Sequence, residues 1–257
     1  MGALSCRSRA GRGGRPVLRL DTVIYVTTPA ANGSQPPLVC VHGLSASSRW
    51  WARVVAPMAG SGPVVLVDLP RSLKPSDAAG WLAARIEELE TPVDLAGHSL
   101  GALLSVRVAA LRPELVRRLV LISPPGIRPR RSPLGYAWPL ARTVLHTRPA
   151  FLARLTYDGL RAGPRNLARG GLHVASANIT AELGAVAAPT LLVWGARDRV
   201  VPVEEAPAWL ERLHEARLVV IPRAGHVPMV ESPRALAEAI RVFRQEGLDE
   251  TGDGERM

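Results

Sequence analysis

Val93-Asp94-Leu95-Ala96-Gly97-His98-Ser99-Leu100-Gly101-Ala102-Leu103-Leu104 is the stretch that decides the fold. Val93 to Ala96 reads as an apolar strand and Leu100 to Leu111 as a helix. At their junction, Gly97-His98-Ser99-Leu100-Gly101 matches Gly-x-Ser-x-Gly. A strand-to-helix turn this tight strains the serine backbone, and side chains at its two flanks would strike neighbouring backbone, so glycine is needed there. The turn lifts the Ser99 hydroxyl out of the sheet. It also aims a helix N-terminus at it, where the Leu100 amide N–H can meet a developing oxyanion. Serine is also a favoured helix N-cap, so the pentapeptide alone admits a plain capped turn. The strand before it and the helix after it favour a nucleophile.

Outward from this junction the same alternation repeats. Leu38 to Val41, Val64 to Val67, Leu119 to Ile122, Thr190 to Trp194 and Leu218 to Ile221 read as short, uniformly apolar strands. Ser48 to Ala59, Asp77 to Glu90, Glu204 to His214 and Pro233 to Glu246 read as helices, and Val17 to Thr28 as an opening strand or hairpin. Strands apolar on both faces and separated by helices imply an α/β fold with a parallel sheet covered on both sides. The alternation breaks at Ser123-Pro124-Pro125-Gly126, and helix-like pieces run from there to about Leu183. The expected organisation is a core of residues 17–124 and 184–247, a helical insertion at 125–183, and disordered tails at 1–16 and 248–257.

Composition narrows the function classes. The chain has 257 residues and is 47% hydrophobic, enough for a sizeable core. No apolar run reaches the roughly 18 residues of a membrane span, and the Arg- and Gly-rich start lacks a secretory signal. The net charge is +10, but 31 of the 32 basic residues are arginines scattered along helical stretches, Lys74 being the one lysine. That pattern fits coding bias, and no nucleic-acid recognition motif accompanies it. The two cysteines, Cys6 and Cys40, have no metal-ligand spacing and are not expected to pair. A reducing, cytoplasmic setting follows as the expectation. Neither a metal nor an organic cofactor is called for, and the oligomeric state stays open.

A serine hydroxyl needs a base with a pKa near working pH, which points to histidine. Six histidines are present. His98 lies inside the turn and is expected to point away from the reaction, His42 precedes Gly43 after a strand, His146 and His173 fall in the insertion, and His214 closes a helix. His226, in Ala224-Gly225-His226-Val227-Pro228, follows the last strand in a glycine-bearing loop. The supporting acid is expected between serine and histidine in chain order, and Asp198 follows the strand ending at Trp194. A carboxylate there can fix the imidazole tautomer and stabilise its protonated form. Singly, a loop aspartate is as readily a turn cap and a loop histidine simply solvated. Three such residues at successive strand ends, in this order, form a candidate triad.

On these residues the chain resembles the α/β-hydrolase superfamily, and within it the small bacterial esterase, haloperoxidase-like and C–C-bond hydrolase branches. His42-Gly43, Gly97 to Gly101, Trp194 to Pro202, and Ala224 to Pro228 with Glu231 and Pro233 carry the resemblance. It implies a mainly parallel eight-stranded sheet, a helical cap after the sixth strand, and an oxyanion hole from the amides of Leu44 and Leu100. Ser99 argues against the dehalogenase and epoxide-hydrolase relatives, which use aspartate at that position. One departure is visible. Where relatives have Asp-Leu-Pro-Gly-x-Gly-x-Ser, this chain runs Asp68-Leu69-Pro70-Arg71-Ser72-Leu73-Lys74-Pro75 without the glycines. The expected reaction is acyl transfer from a small ester or thioester to water through an acyl-serine. Acyltransfer, C–C cleavage and perhydrolysis by the same triad are alternatives, as is a non-catalytic binding protein. His42, Trp50, Trp51 and Trp138 are candidates for the substrate pocket, and core packing is the competing reading for the tryptophans.

Overall fold

Consecutive strand residues face opposite sides of a sheet, so a strand with no polar position must be covered on both sides. The computed structural model describes residues 17–20, 23–26, 35–70, 73–127 and 149–246. The sheet is built from β1 (Val17–Leu20), β2 (Val23–Val26), β3 (Leu38–Val41), β4 (Val64–Val67), β5 (Val93–His98), β6 (Val116–Ile122), β7 (Thr190–Gly195) and β8 (Ala216–Ile221), in the order β1-β2-β4-β3-β5-β6-β7-β8. Six of these, β3 to β8, run parallel and form its body. The expectation of eight strands in one mainly parallel sheet is therefore refined: β1 and β2 are short edge strands that join antiparallel through β4. The two tails, and residues 128–148 of the insertion, lie outside the described residues.

The alternation is visible residue by residue. Val39, Val41, Val65, Val67, Leu95, Leu119, Leu121, Leu192 and Trp194 enter one apolar cluster. Their neighbours Leu38, Cys40, Val64, Leu66, Ala96, Val120, Ile122, Leu191 and Val193 enter the other. The first cluster is closed by α2 (Ala78–Glu87) and α3 (Leu100–Leu111), with residues of α6 (Thr180–Leu183) and α7 (Ala206–Leu210). The second is closed by α1 (Ala52–Val55) and α9 (Pro233–Gln245), with Met229 of α8 (Pro228–Glu231). Two helices fall short of expectation. Ser48 to Ala59 is split into a 3-10 turn Ser48–Trp51, α1, and a second 3-10 turn Ala56–Met58, where Pro57 cannot donate a helical hydrogen bond. Glu204 to His214 shrinks to a 3-10 turn Val203–Glu205 and α7, which ends at Leu210. The described part of the insertion is helical, as α4 (Pro149–Ala162), α5 (Pro164–Ser176) and α6.

A charged cluster is buried at one end of this framework. Asp94 on β5 is fully buried and accepts from Arg244 Nε and Arg117 Nη2, each at 2.6 Å. Arg244 also donates to the carbonyls of Ser61 and Pro36, at 2.7 and 2.6 Å. It thereby ties α9 to the N-terminal end of the sheet. The strand order reverses at β3, whose neighbours β4 and β5 both follow it in sequence. In open parallel sheets the crevice beyond the strand C-termini at such a reversal is where ligands bind.

Candidate active site

Ser99 follows β5 at this reversal with φ 51° and ψ −114°, a left-handed conformation that costs a non-glycine residue about 1–3 kcal/mol. The strain is held from several sides. The Ser99 N–H donates to Ile122 O on β6 at 3.0 Å, and its carbonyl accepts from Ala102 and Leu103 in the first turn of α3. The flanking glycines are required by contact: a Cβ on Gly97 would lie 2.4 Å from Gly101 O, and one on Gly101 would lie 2.5 Å from Val41 O. The Ser99 hydroxyl does not cap α3. It lies 3.3 Å from His226 Nε2.

His226 is buried in the loop between β8 and α8, with its Nδ1 2.9 Å from Asp198 Oδ2. Nδ1 therefore carries the proton and donates to the carboxylate, leaving Nε2 free to accept from the serine. Asp198 sits in the turn after β7, and its other oxygen accepts the Val200 and Val201 N–H groups at 2.9 and 3.0 Å. Burial raises the Asp198 pKa, but the His226 charge, its hydrogen bond and the Val201 amide outweigh burial. The carboxyl is held below the usual aspartate value. The acid and base loops are also joined directly, Arg197 N–H donating to Ala224 O at 2.9 Å. Such a chain can take a proton from the hydroxyl and hold the resulting imidazolium.

His42 lines the cavity beside the elbow, as expected for a pocket residue, but its ring nitrogens are taken. His42 donates from Nδ1 to Gly43 O at 2.8 Å, and its Nε2 accepts the Leu69 N–H at 3.2 Å. Both ring nitrogens are occupied and burial lowers its pKa, so it stays neutral and braces the loop that begins at Gly43. Asp68 secures the same region from the strand β4 side, accepting from Ser48 N–H and Ser48 Oγ at 2.6 and 3.0 Å. The sequence that replaces the glycine-rich loop thus still contacts the Gly43 side of the site. Among the described residues, no backbone hydrogen bond uses the N–H of Leu44 or Leu100.

A cavity of about 360 Å³ opens beside the elbow. Leu44, Leu69, Leu73, Leu100 and Leu104 supply apolar wall, and Arg49, Tyr157, Asp158, Arg161, Asn166 and Arg169 supply polar wall. Ser99 is not itself part of this lining, although its neighbour Leu100 is. Two pocket expectations are corrected. Trp50 and Trp51 do not line the cavity; they sit in the 3-10 turn Ser48–Trp51 and are buried in the second apolar cluster, as their large apolar area favours. Trp138 lies outside the described residues. The α4 and α5 lining was missed from sequence, although Tyr157, Asp158, Arg161 and Ala162, then Asn166, Arg169 and Gly170, fall at helical spacing on one face each.

A strained serine at a strand-to-helix elbow, backed by an aspartate and a histidine from the loops after β7 and β8 of a parallel sheet, defines a class as well as a site. Residues 38–239 match the alpha/beta hydrolase family, and the chain belongs to that family. The protein is an enzyme, a hydrolase of this fold, and esterases are among its relatives. It is 30% identical to a pimeloyl-[acyl-carrier protein] methyl ester esterase of Aeromonas hydrophila, over 82% of this chain and 96% of that protein. It is also 30% identical to a putative carbamate hydrolase of Pseudomonas savastanoi, over 77% and 89%. The fold matches a thermophilic esterase from Thermogutta terrifontis with a TM-score of 0.72 at 21% identity, covering 95% of this chain and 99% of that one. Among the described residues, no helix is long and apolar enough to cross a membrane.

Proposed function

We propose that the protein hydrolyses a carboxylic ester or thioester through an acyl-serine, with Ser99 as nucleophile, His226 as general base and acid, and Asp198 as the residue that orients and charges-matches the base. The observation that carries this reading is the unbroken chain from Ser99 Oγ to His226 Nε2 at 3.3 Å and from His226 Nδ1 to Asp198 at 2.9 Å. As Ser99 Oγ attacks the carbonyl carbon, its proton passes to His226 Nε2, and the carbonyl oxygen takes the negative charge. The amides of Leu44 and Leu100 receive that oxyanion; neither has a backbone acceptor among the described residues, and Leu100 opens the twelve-residue helix α3. His226 then protonates the departing alkoxide or thiolate. Water attacks the acyl-serine by the same route, its proton passing to His226 Nε2, and the carboxylic acid leaves as Ser99 regains its hydrogen.

In this reading residues 125–183 form a cap over the core of 17–124 and 184–247. Asp158 of α4 supports it, accepting from Trp50 Nε1 at 2.8 Å and Ser47 Oγ at 3.2 Å, so the insertion is fastened to the segment that follows Leu44. The mixed lining suits a small acyl substrate whose chain lies on the leucines and whose far end meets Arg49, Arg161 and Arg169. A cytoplasmic location accompanies it in this reading, in keeping with Cys40, which is buried as a free thiol. A p-nitrophenyl ester series with Ser99→Ala as control tests the reading. Turnover that vanishes in the variant is the expected result. Turnover that survives in it refutes the assignment. Absence of ester turnover, with Ser99 still labelled by a fluorophosphonate, would move the reaction to acyltransfer, C–C cleavage or perhydrolysis.

A further inference from the structure

The peptide unit that follows His226 is gripped at both ends by side chains outside the proposed triad. His98 Nε2 donates to the His226 carbonyl at 2.8 Å. Glu231 Oε2 accepts the Val227 N–H of the same peptide unit at 3.3 Å and the Gly225 N–H at 2.7 Å. The C=O and N–H of a trans peptide point in opposite directions, so the two side chains hold one plane from opposite sides. We infer that His98 and Glu231 are positioning residues for the base, a two-sided clamp that fixes the backbone carrying His226 and so keeps its imidazole between Ser99 and Asp198. This rests on the proposed role of His226.

The two members differ in character. His98 comes from the elbow itself, so one tight turn presents the nucleophile and holds the base's loop. Its ring is 3% exposed and its centroid is 5.0 Å from that of His226. Burial, and next the His226 charge, push the His98 pKa down to about 3. It therefore remains a neutral Nε2–H donor, and stays one when His226 takes up its proton. Glu231 comes from α8, just beyond the loop. Burial pushes its carboxyl up, while the Gly225 and Val227 amides and the His226 charge draw it back. In this position its Oε2 accepts two amides at once.

Substitution separates the clamp from simple core packing. His98→Leu fills the space without a donor, whereas His98→Gln returns an N–H to the same carbonyl. His98→Leu and Glu231→Ala are expected to lower kcat by about 10- to 100-fold with KM within about two-fold, because a displaced base harms the reacting geometry and not binding. His98→Gln is expected to recover most of the loss. Glu231→Gln keeps an acceptor oxygen for the two amides, and is expected to recover most of the loss seen in Glu231→Ala. The rate of Ser99 labelling by a fluorophosphonate should follow the same order, in chains whose thermal unfolding shows them folded. Equal rates in the His98→Leu and His98→Gln chains, or in the Glu231→Ala and Glu231→Gln chains, would overturn the proposal. A wild-type chain that is not labelled at Ser99 would instead overturn the triad reading on which it stands.

Discussion

Replacing Asp198 by asparagine tests the acid through its geometry. Asp198 Oδ1 accepts two backbone N–H groups, from Val200 at 2.9 Å and Val201 at 3.0 Å. An asparagine in the same place must leave its oxygen on those donors, since its NH₂ cannot accept from them. The NH₂ then faces His226 Nδ1, where the carboxylate now lies at 2.9 Å. It donates to Nδ1, so the imidazole proton moves to Nε2, the atom that must receive the Ser99 proton. The wrong tautomer and the lost charge act together. The expected fall in kcat is about 10³- to 10⁴-fold, or about 4–5.5 kcal/mol of transition-state stabilisation. Steady-state hydrolysis of a short p-nitrophenyl ester measures it, with KM expected to change by less than about three-fold. Activity within ten-fold of wild type would show that the working tautomer of the base does not depend on this carboxylate, and would remove Asp198 from the triad.

Three other outcomes follow from the contacts of Arg244, Asp158 and Asp198. Arg244→Met removes three of the hydrogen bonds that end on Asp94, Ser61 and Pro36; urea unfolding should show a loss of about 3–5 kcal/mol, with kcat per folded molecule unchanged. Asp158→Ala unfastens α4 from Trp50 and Ser47, and should raise KM for longer acyl esters by about ten-fold while sparing acetate esters. Because the folded Asp198 carboxyl is held below its unfolded value, its contribution to stability is complete above the ordinary aspartate range and is lost as pH falls through the lower folded value. The difference in melting temperature between wild type and Asp198→Ala should therefore be constant near neutrality and shrink as pH falls below about 5.

The body of the sheet was legible because β3, β4 and β7 bury both faces, which forces runs such as Leu38-Val39-Cys40-Val41 with no polar position. The elbow was legible for a similar reason: Gly97 and Gly101 are excluded from bearing side chains by backbone within 2.5 Å. Asp198 and His226 could be placed because each directly follows an apolar strand. What the sequence hid is set by contacts between distant segments. Trp50 carries the same side chain whether it lines a pocket or a core, and its indole N–H is satisfied by Asp158, 108 residues away. The grip of His98 and Glu231 on the His226 loop joins side chain to backbone, and a backbone acceptor leaves no residue type to recognise. The cavity lining from α4 and α5 depends on how those helices lie across the core, which helical spacing does not reveal.

In the proposed reaction the acyl group passes through Ser99. Acid-quenching the enzyme within the first turnover of an activated ester, then mapping the modified peptide by mass spectrometry, catches this step. An acyl mass is expected on the peptide containing Ser99 and not in Ser99→Ala. An acyl group found on another residue, or product released in a burst with Ser99 unmodified, would contradict it.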